Sequence, residues 1–129
     1  MDSIQFLTRK NATCQDMLSC LYNLKTIDLE VFRATAQKEW ATLDQIAENV
    51  KRDRSSTHRS LSKLQSAGLI HKQSRGLKGG GYYHIYNIVE PERIKENAKQ
   101  KVAEITTSLE ELIDKFETEL VAHIASNVR

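Results

Sequence analysis

The sequence is short of residues that would mark it as a catalyst or a membrane protein. It has one proline, two cysteines and one tryptophan, and four of its five glycines lie between positions 76 and 81. No apolar run is long enough to span a bilayer. The N-terminus lacks the pattern of a secretory signal. A soluble, cytoplasmic chain is expected. Cys14 and Cys20 sit six apart on one predicted helix, a spacing that helical geometry does not bring together for a disulfide. Neither has the histidine and cysteine company that zinc needs. The plain reading makes them small buried apolar residues in a reducing compartment, with a redox or intersubunit role as the alternative. His58, His71, His84 and His123 are scattered over different predicted elements, and there is no glycine-rich phosphate loop. No catalytic residue, metal or cofactor is therefore expected. Glu110, Glu111 and Asp114 read as the solvated face of a helix.

A formal net charge of +2 says little about partners, but its distribution says more. Residues 1–50 carry five basic and seven acidic side chains. Residues 51–89 carry eight basic side chains against one acid, Asp53. Residues 90–129 return to an acidic balance, six against nine. A basic middle between acidic flanks is the footprint of a polyanion site confined to one segment.

The spacing predicts a helix over 13–23, carrying Cys14, Met17, Leu18 and Leu21 at helical intervals. A second helix is predicted from Thr26 to about Trp40, with Leu29, Phe32 and Ala36 inward and Trp40-Ala41-Thr42 as a short extended segment. Thr42 and Gln45 form a capping box for a two-turn helix whose Leu43, Ile46, Ala47 and Val50 share one face. Asp53 caps a third helix running to Ala67 and ended by Gly68, its thin apolar side being Thr57, Leu61, Leu64 and Ala67. Leu69–Ser74 and Tyr82–Val89 read as strands joined by a glycine-rich tip, 75–81, with Tyr86 in the core. Pro91 opens a last helix that can run to about Asn127, on the order of 50 Å.

Helix, short helix, basic helix and hairpin, in that order, is the winged helix-turn-helix layout. The fold class is mainly α with a small β-hairpin and a long C-terminal helix. Three regions follow: an N-terminal segment and helix (1–24), expected to join a dimer interface, the winged domain (25–90), and the long helix (91–129). Val102, Ile105, Leu109, Leu112 and Phe116 alternate by three and four, the heptad rule, and Ile113, Leu120 and Ile124 broaden or shift that stripe. One small globule cannot easily cover so long a seam, so a second copy is the natural partner.

With Thr57, Leu61 and Leu64 inward, the opposite face of the third helix holds Ser55, His58, Arg59, Ser62 and Lys63, with Arg54 and Ser56 near its start. Hydroxyls suit phosphates or base edges, and Arg and Lys suit phosphates or guanine. No acid occurs between Arg54 and Ala67. Arg52 before the helix, and Lys72, Arg75, Lys78 and Tyr82 on the hairpin, extend the surface toward a DNA backbone or minor groove.

The run from Ala41 to Ile70, ATLDQIAENVKRDRSSTHRSLSKLQSAGLI, ends in a K-L-x-x-x-G-L pattern at Lys63–Leu69. With YNIVEPERI at 86–94, it resembles the DNA-binding domain of the TrmB family of archaeal and bacterial winged-helix regulators. MarR-like and ArsR-like regulators share the K-L-x-x-x-G-L cue. The glycine-rich tip is longer than the usual wing of the family. No sequence after residue 129 is available for the sugar-binding domain of full-length members, so a short form is expected: a winged domain plus a dimerising helix. The resemblance implies a homodimeric regulator that binds double-stranded DNA, and an archaeal source. The rival readings are a winged helix that binds other proteins of the transcription machinery, a non-specific chromatin-type DNA binder, and an RNA binder. No residue points to a small-molecule effector.

Overall fold

The computed structural model describes residues 4–127 and divides the chain into two compact units, 1–95 and 96–129. After a short 3-10 turn (Ile4–Thr8) come α1 (Cys14–Tyr22), α2 (Thr26–Ala36), β1 (Ala41–Thr42), α3 (Leu43–Val50) and α4 (Arg54–Ser66). The hairpin strands β2 (Ile70–Gly76) and β3 (Tyr82–Ile88) follow, then α5 (Pro91–Asn127).

Local chemistry accounts for most of the boundaries. Thr13 and Asp16 cap α1 reciprocally, and Thr42 and Gln45 do the same for α3, each satisfying two N–H groups at a helix start. The expected hairpin is widened to an antiparallel sheet of order β1-β3-β2, because Ala41 and Thr42 pair with Tyr86 and Ile85. The first hairpin strand also runs further at its end than expected, while the second stops at Ile88 rather than Val89. β2 reaches Gly76 opposite Tyr82, which shortens the tip from 75–81 to 77–81. Gly79, Gly80 and Gly81 take positive φ there, a region other residues enter only at a cost.

Two expectations about α2 need correction. The helix stops at Ala36 rather than near Trp40. Its buried face is also rotated by one position: Asp28, Val31, Ala34 and Thr35 are buried, Leu29 and Phe32 are half-buried, and Ala36 is exposed. A search for apolar periodicity misses this face because two of its members are polar. Thr35 satisfies its hydroxyl on the Val31 carbonyl at 2.8 Å. The role of Asp28 emerges at the interface described below. Cys14 is exposed on the first residue of α1 and Cys20 is half-buried, so the two are not the buried pair expected of small apolar side chains.

The core of the first unit gathers Val31 and Ala34 from α2, Ile46 from α3, Leu61 and Leu64 from α4, Leu69 from the turn before β2, and Ile70 and Tyr86 from the sheet. Leu18 and Tyr22 of α1 pack against the same cluster. α5, taken by itself, is a 37-residue helix, about 55 Å long. No helix among the described residues is long and apolar enough to cross a membrane.

Leu61 is fully buried, and it seats α4 on α2 and the sheet. Leu61→Ala should cost about 2–5 kcal/mol through lost transfer energy and the cavity left behind. The check is a lower urea midpoint at unchanged m-value. A loss under about 1 kcal/mol would mean that α4 is not anchored through its apolar side.

Candidate nucleic-acid interface

The turn into α4 is built by residues that leave the helical region and then re-enter it. Lys51 ends α3 in the left-handed conformation, φ 56°, and the Arg52 N–H closes back on the Ala47 carbonyl at 3.1 Å. Asp53 then caps α4 by accepting the Ser56 backbone N–H at 3.1 Å. Hydrogen bonds from Ser56 hold the Asp53 carboxyl below its ordinary range. At the far end, Gly68 takes φ 77° while its N–H and that of Leu69 bond the carbonyls of Gln65 and Leu64. Those two bonds form a Schellman closure, and they aim the chain into β2.

The position of α4 against α2 is set by Asp28, whose side chain is only 4% exposed. Its Oδ2 accepts the Lys25 backbone N–H and the Lys63 ammonium, each at 2.8 Å. Its Oδ1 accepts the Ser60 hydroxyl at 2.7 Å. Burial by itself would push this carboxyl up. The bonds from Lys63, Lys25 and Ser60, with the charge of Lys63, outweigh it and leave the pKa below the usual carboxylate range. One acid therefore caps α2 and clamps two residues of α4.

The expected surface residues separate into two sets. Ser55, His58, Arg59 and Ser62 stand exposed on α4, with Ser56 half-buried and within 3.3 Å of the Arg59 guanidinium. The other cations meet acids from neighbouring helices. Arg54 lies 2.6 Å from Asp44 of α3, Arg52 lies 3.4 Å from Glu30 of α2, and Lys63 is drawn to Asp28. These acids are distant in sequence from the basic run, so the run alone overstates the charge α4 offers. No signal in a single sequence singles out Asp28, Asp44 or Ser60 for these roles.

On the hairpin, residues directly opposite each other share a face and alternate along the strand. Lys72 lies opposite the buried Tyr86, and Gly76 opposite Tyr82, so Lys72 and Tyr82 belong to the core-side face. Arg75 lies opposite Tyr83 on the reverse face. The sheet therefore splits a group that looked continuous in sequence. Tyr82, Tyr83, Arg75 and Lys78 are all exposed, and Tyr82 meets His84 edge-to-face at 5.4 Å. Lys78 occupies the glycine-rich tip, where the backbone can approach a phosphate chain closely. Among the described residues, no three of His, Cys, Asp and Glu come together as a metal site would need.

The profile of the family described as "Sugar-specific transcriptional regulator TrmB" matches residues 18–92. Protein MJ1503 of Methanocaldococcus jannaschii is 27% identical over 107 residues, 83% of this chain and 81% of that protein. MJ1082 of the same organism is 30% identical over 87 residues, 67% of this chain and 72% of its own. Among solved structures, a "possible transcriptional regulator" of Methanosarcina mazei Go1 shares the fold, with a TM-score of 0.72 at 24% identity. That match covers 84% of this chain and 95% of the other. The ST1889 protein of Sulfolobus tokodaii does so at a TM-score of 0.59 and 18% identity, over 74% and 93% of the two chains.

Replacing Asp28 by asparagine keeps the shape of the side chain and removes its charge. Its folded pKa lies below the unfolded value of about 3.9, so the stabilisation is complete above that value and is lost as pH falls through the folded one. Asp28→Asn should cost about 2–3 kcal/mol near neutrality. The gap to wild type should narrow as the pH is lowered from about 5 toward 2. Urea midpoints across that range test this, and a gap independent of pH would show that the charge is not what holds α4.

Proposed function

The chain belongs to the TrmB family of transcriptional regulators, and from that premise we propose that it is a homodimer that reads double-stranded DNA in a sequence-specific way. The observation that carries the proposal is the free face of α4. Ser55, His58, Arg59 and Ser62 are exposed side by side with no acid among them. Glu30, Asp44 and Asp28 are engaged by Arg52, Arg54 and Lys63, and Asp53, which caps the helix, is held by Ser56 and feels the charge of Arg59.

In this reading α4 enters the major groove and Arg59 is the residue suited to guanine O6 and N7. Ser55, His58 and Ser62 complete the reading face. The wing tip, with Arg75 and Lys78, lies along the backbone or the adjacent minor groove, and Tyr82 can offer its hydroxyl to a phosphate. Arg52, Arg54, Lys63 and Lys72 contribute through the field of the surface and by fixing the helix. The exposed apolar stripe of α5, from Val102 through Leu120, pairs two chains. Two half-sites about 34 Å apart, one turn of DNA, match that symmetry.

Fluorescence-anisotropy titrations against the protein's own upstream region and against random duplex, at two salt concentrations, test the reading. Arg59→Ala should weaken binding to the specific site by about 1–3 kcal/mol and leave random duplex little changed. Lys78→Ala should weaken both duplexes alike and flatten the salt dependence by about one unit of slope. If both variants bind like wild type, the assigned surface is wrong. Sedimentation at micromolar concentration should find a dimer, and a stable monomer would remove that part of the proposal.

A further inference from the structure

The apolar residues of α5 recur with a period of eleven. Val102, Ile105, Leu109 and Ile113 are spaced by three, four and four, and Ile113, Phe116, Leu120 and Ile124 repeat the same intervals. Eleven residues in three turns lie close to the natural pitch of the helix, so the stripe runs nearly straight where a strict heptad would wind. Each of these seven side chains is exposed, between 37% and 69%. Leu112 and Val121 widen the apolar area.

The charges beside the stripe are what give it a direction. Eighteen residues make five helical turns, so Lys99 and Glu117 lie along one edge of the stripe and Lys101 and Glu119 along the other. Each edge thus begins basic and ends acidic. Within its own helix Lys99 reaches only Glu96, at 3.8 Å.

We propose that α5 pairs with α5 of a second copy in antiparallel orientation, centred on Leu109, a proposal that rests on the dimeric reading above. Val102 then meets the partner's Phe116, Ile105 the partner's Ile113, and Leu109 the partner's Leu109. Antiparallel helices related by a two-fold axis set like edges against each other. Lys99 therefore comes beside the partner's Glu117, and Lys101 beside the partner's Glu119, within about 3 Å of level along the axis. Glu110, on the same edge as Lys99, comes within about 3 Å of level with the partner's Glu110, one like-charge contact set against these four opposite-charge pairs. A parallel pair would instead face Lys99 with the partner's Lys101 and Glu117 with the partner's Glu119, four unfavourable contacts. An antiparallel pair centred on Ile113 would cover more of the stripe. It would leave both lysines level with a stretch near residue 126 that has no acid.

Two measurements on the full-length chain decide the matter. In a Cys14→Ser, Cys20→Ser background, a nitroxide on Ala125→Cys lies on the exposed outer side of α5. The proposed pairing places the two labels about 50 Å apart, whereas a parallel pair holds them within about 30 Å. A short distance overturns the orientation. Lys99→Glu with Lys101→Glu should weaken self-association roughly tenfold, and adding Glu117→Lys with Glu119→Lys should restore it. Unchanged association of the first variant, with helix content intact by circular dichroism, overturns the centre on Leu109. A monomer in sedimentation removes the dimeric reading itself, an outcome distinct from a dimer with the wrong distance.

Discussion

The carboxylate of Asp28 accepts from three donors on two helices, and an acid with so little access to water must keep them or take up a proton. This constraint reaches through the winged domain. The Lys25 bond fixes the first turn of α2, and the Ser60 and Lys63 bonds fix the middle of α4 to it, between the apolar contacts of Leu61 and Leu64. Apolar packing alone tolerates small slides, because hydrophobic contact has no direction. Hydrogen bonds to a buried charge do not tolerate them. The angle and height at which α4 presents Ser55, His58, Arg59 and Ser62 thus depend on a polar anchor set among apolar ones.

The same economy of charge defines what the surface can do. Of the cations in and around α4, three are held by acids from α2 and α3. Arg52 and Arg54 are exposed pairs, worth little to stability in water. Lys63 belongs to the anchor. The outward charge not set against an acid of another helix is carried by Lys51, by Arg59 and by the wing, where Arg75 and Lys78 stand on an element that the sheet register holds in place.

Apolar residues serve two ends in this chain. In the first unit they close a core in which the largest side chains are almost completely shielded from water. Along α5 they form an exposed stripe, of the kind that on a soluble protein marks a surface made for a partner. Its regular spacing and the opposite charges along its edges are the features on which the proposed antiparallel pairing rests.

How much of this was legible follows from how each signal is carried. Helix starts at Thr13, Thr42 and Asp53, the stop at Gly68, the returning strand with buried Tyr86, and the long helix from Pro91 rest on chemistry between residues at most a few positions apart. The sequence by itself determined these, along with the basic segment and the apolar stripe of α5. The inner face of α2 was out of reach, because Asp28 and Thr35 belong to it and apolar periodicity passes over polar residues. The commitment of Lys63, Arg54 and Arg52 to acids, and the division of Lys72 and Tyr82 from Arg75 across the sheet, were out of reach as well. Tertiary structure alone decided them, for one physical reason: a buried charge or a cross-strand neighbour is defined by a partner far away in the chain, and a linear pattern holds no record of that distance.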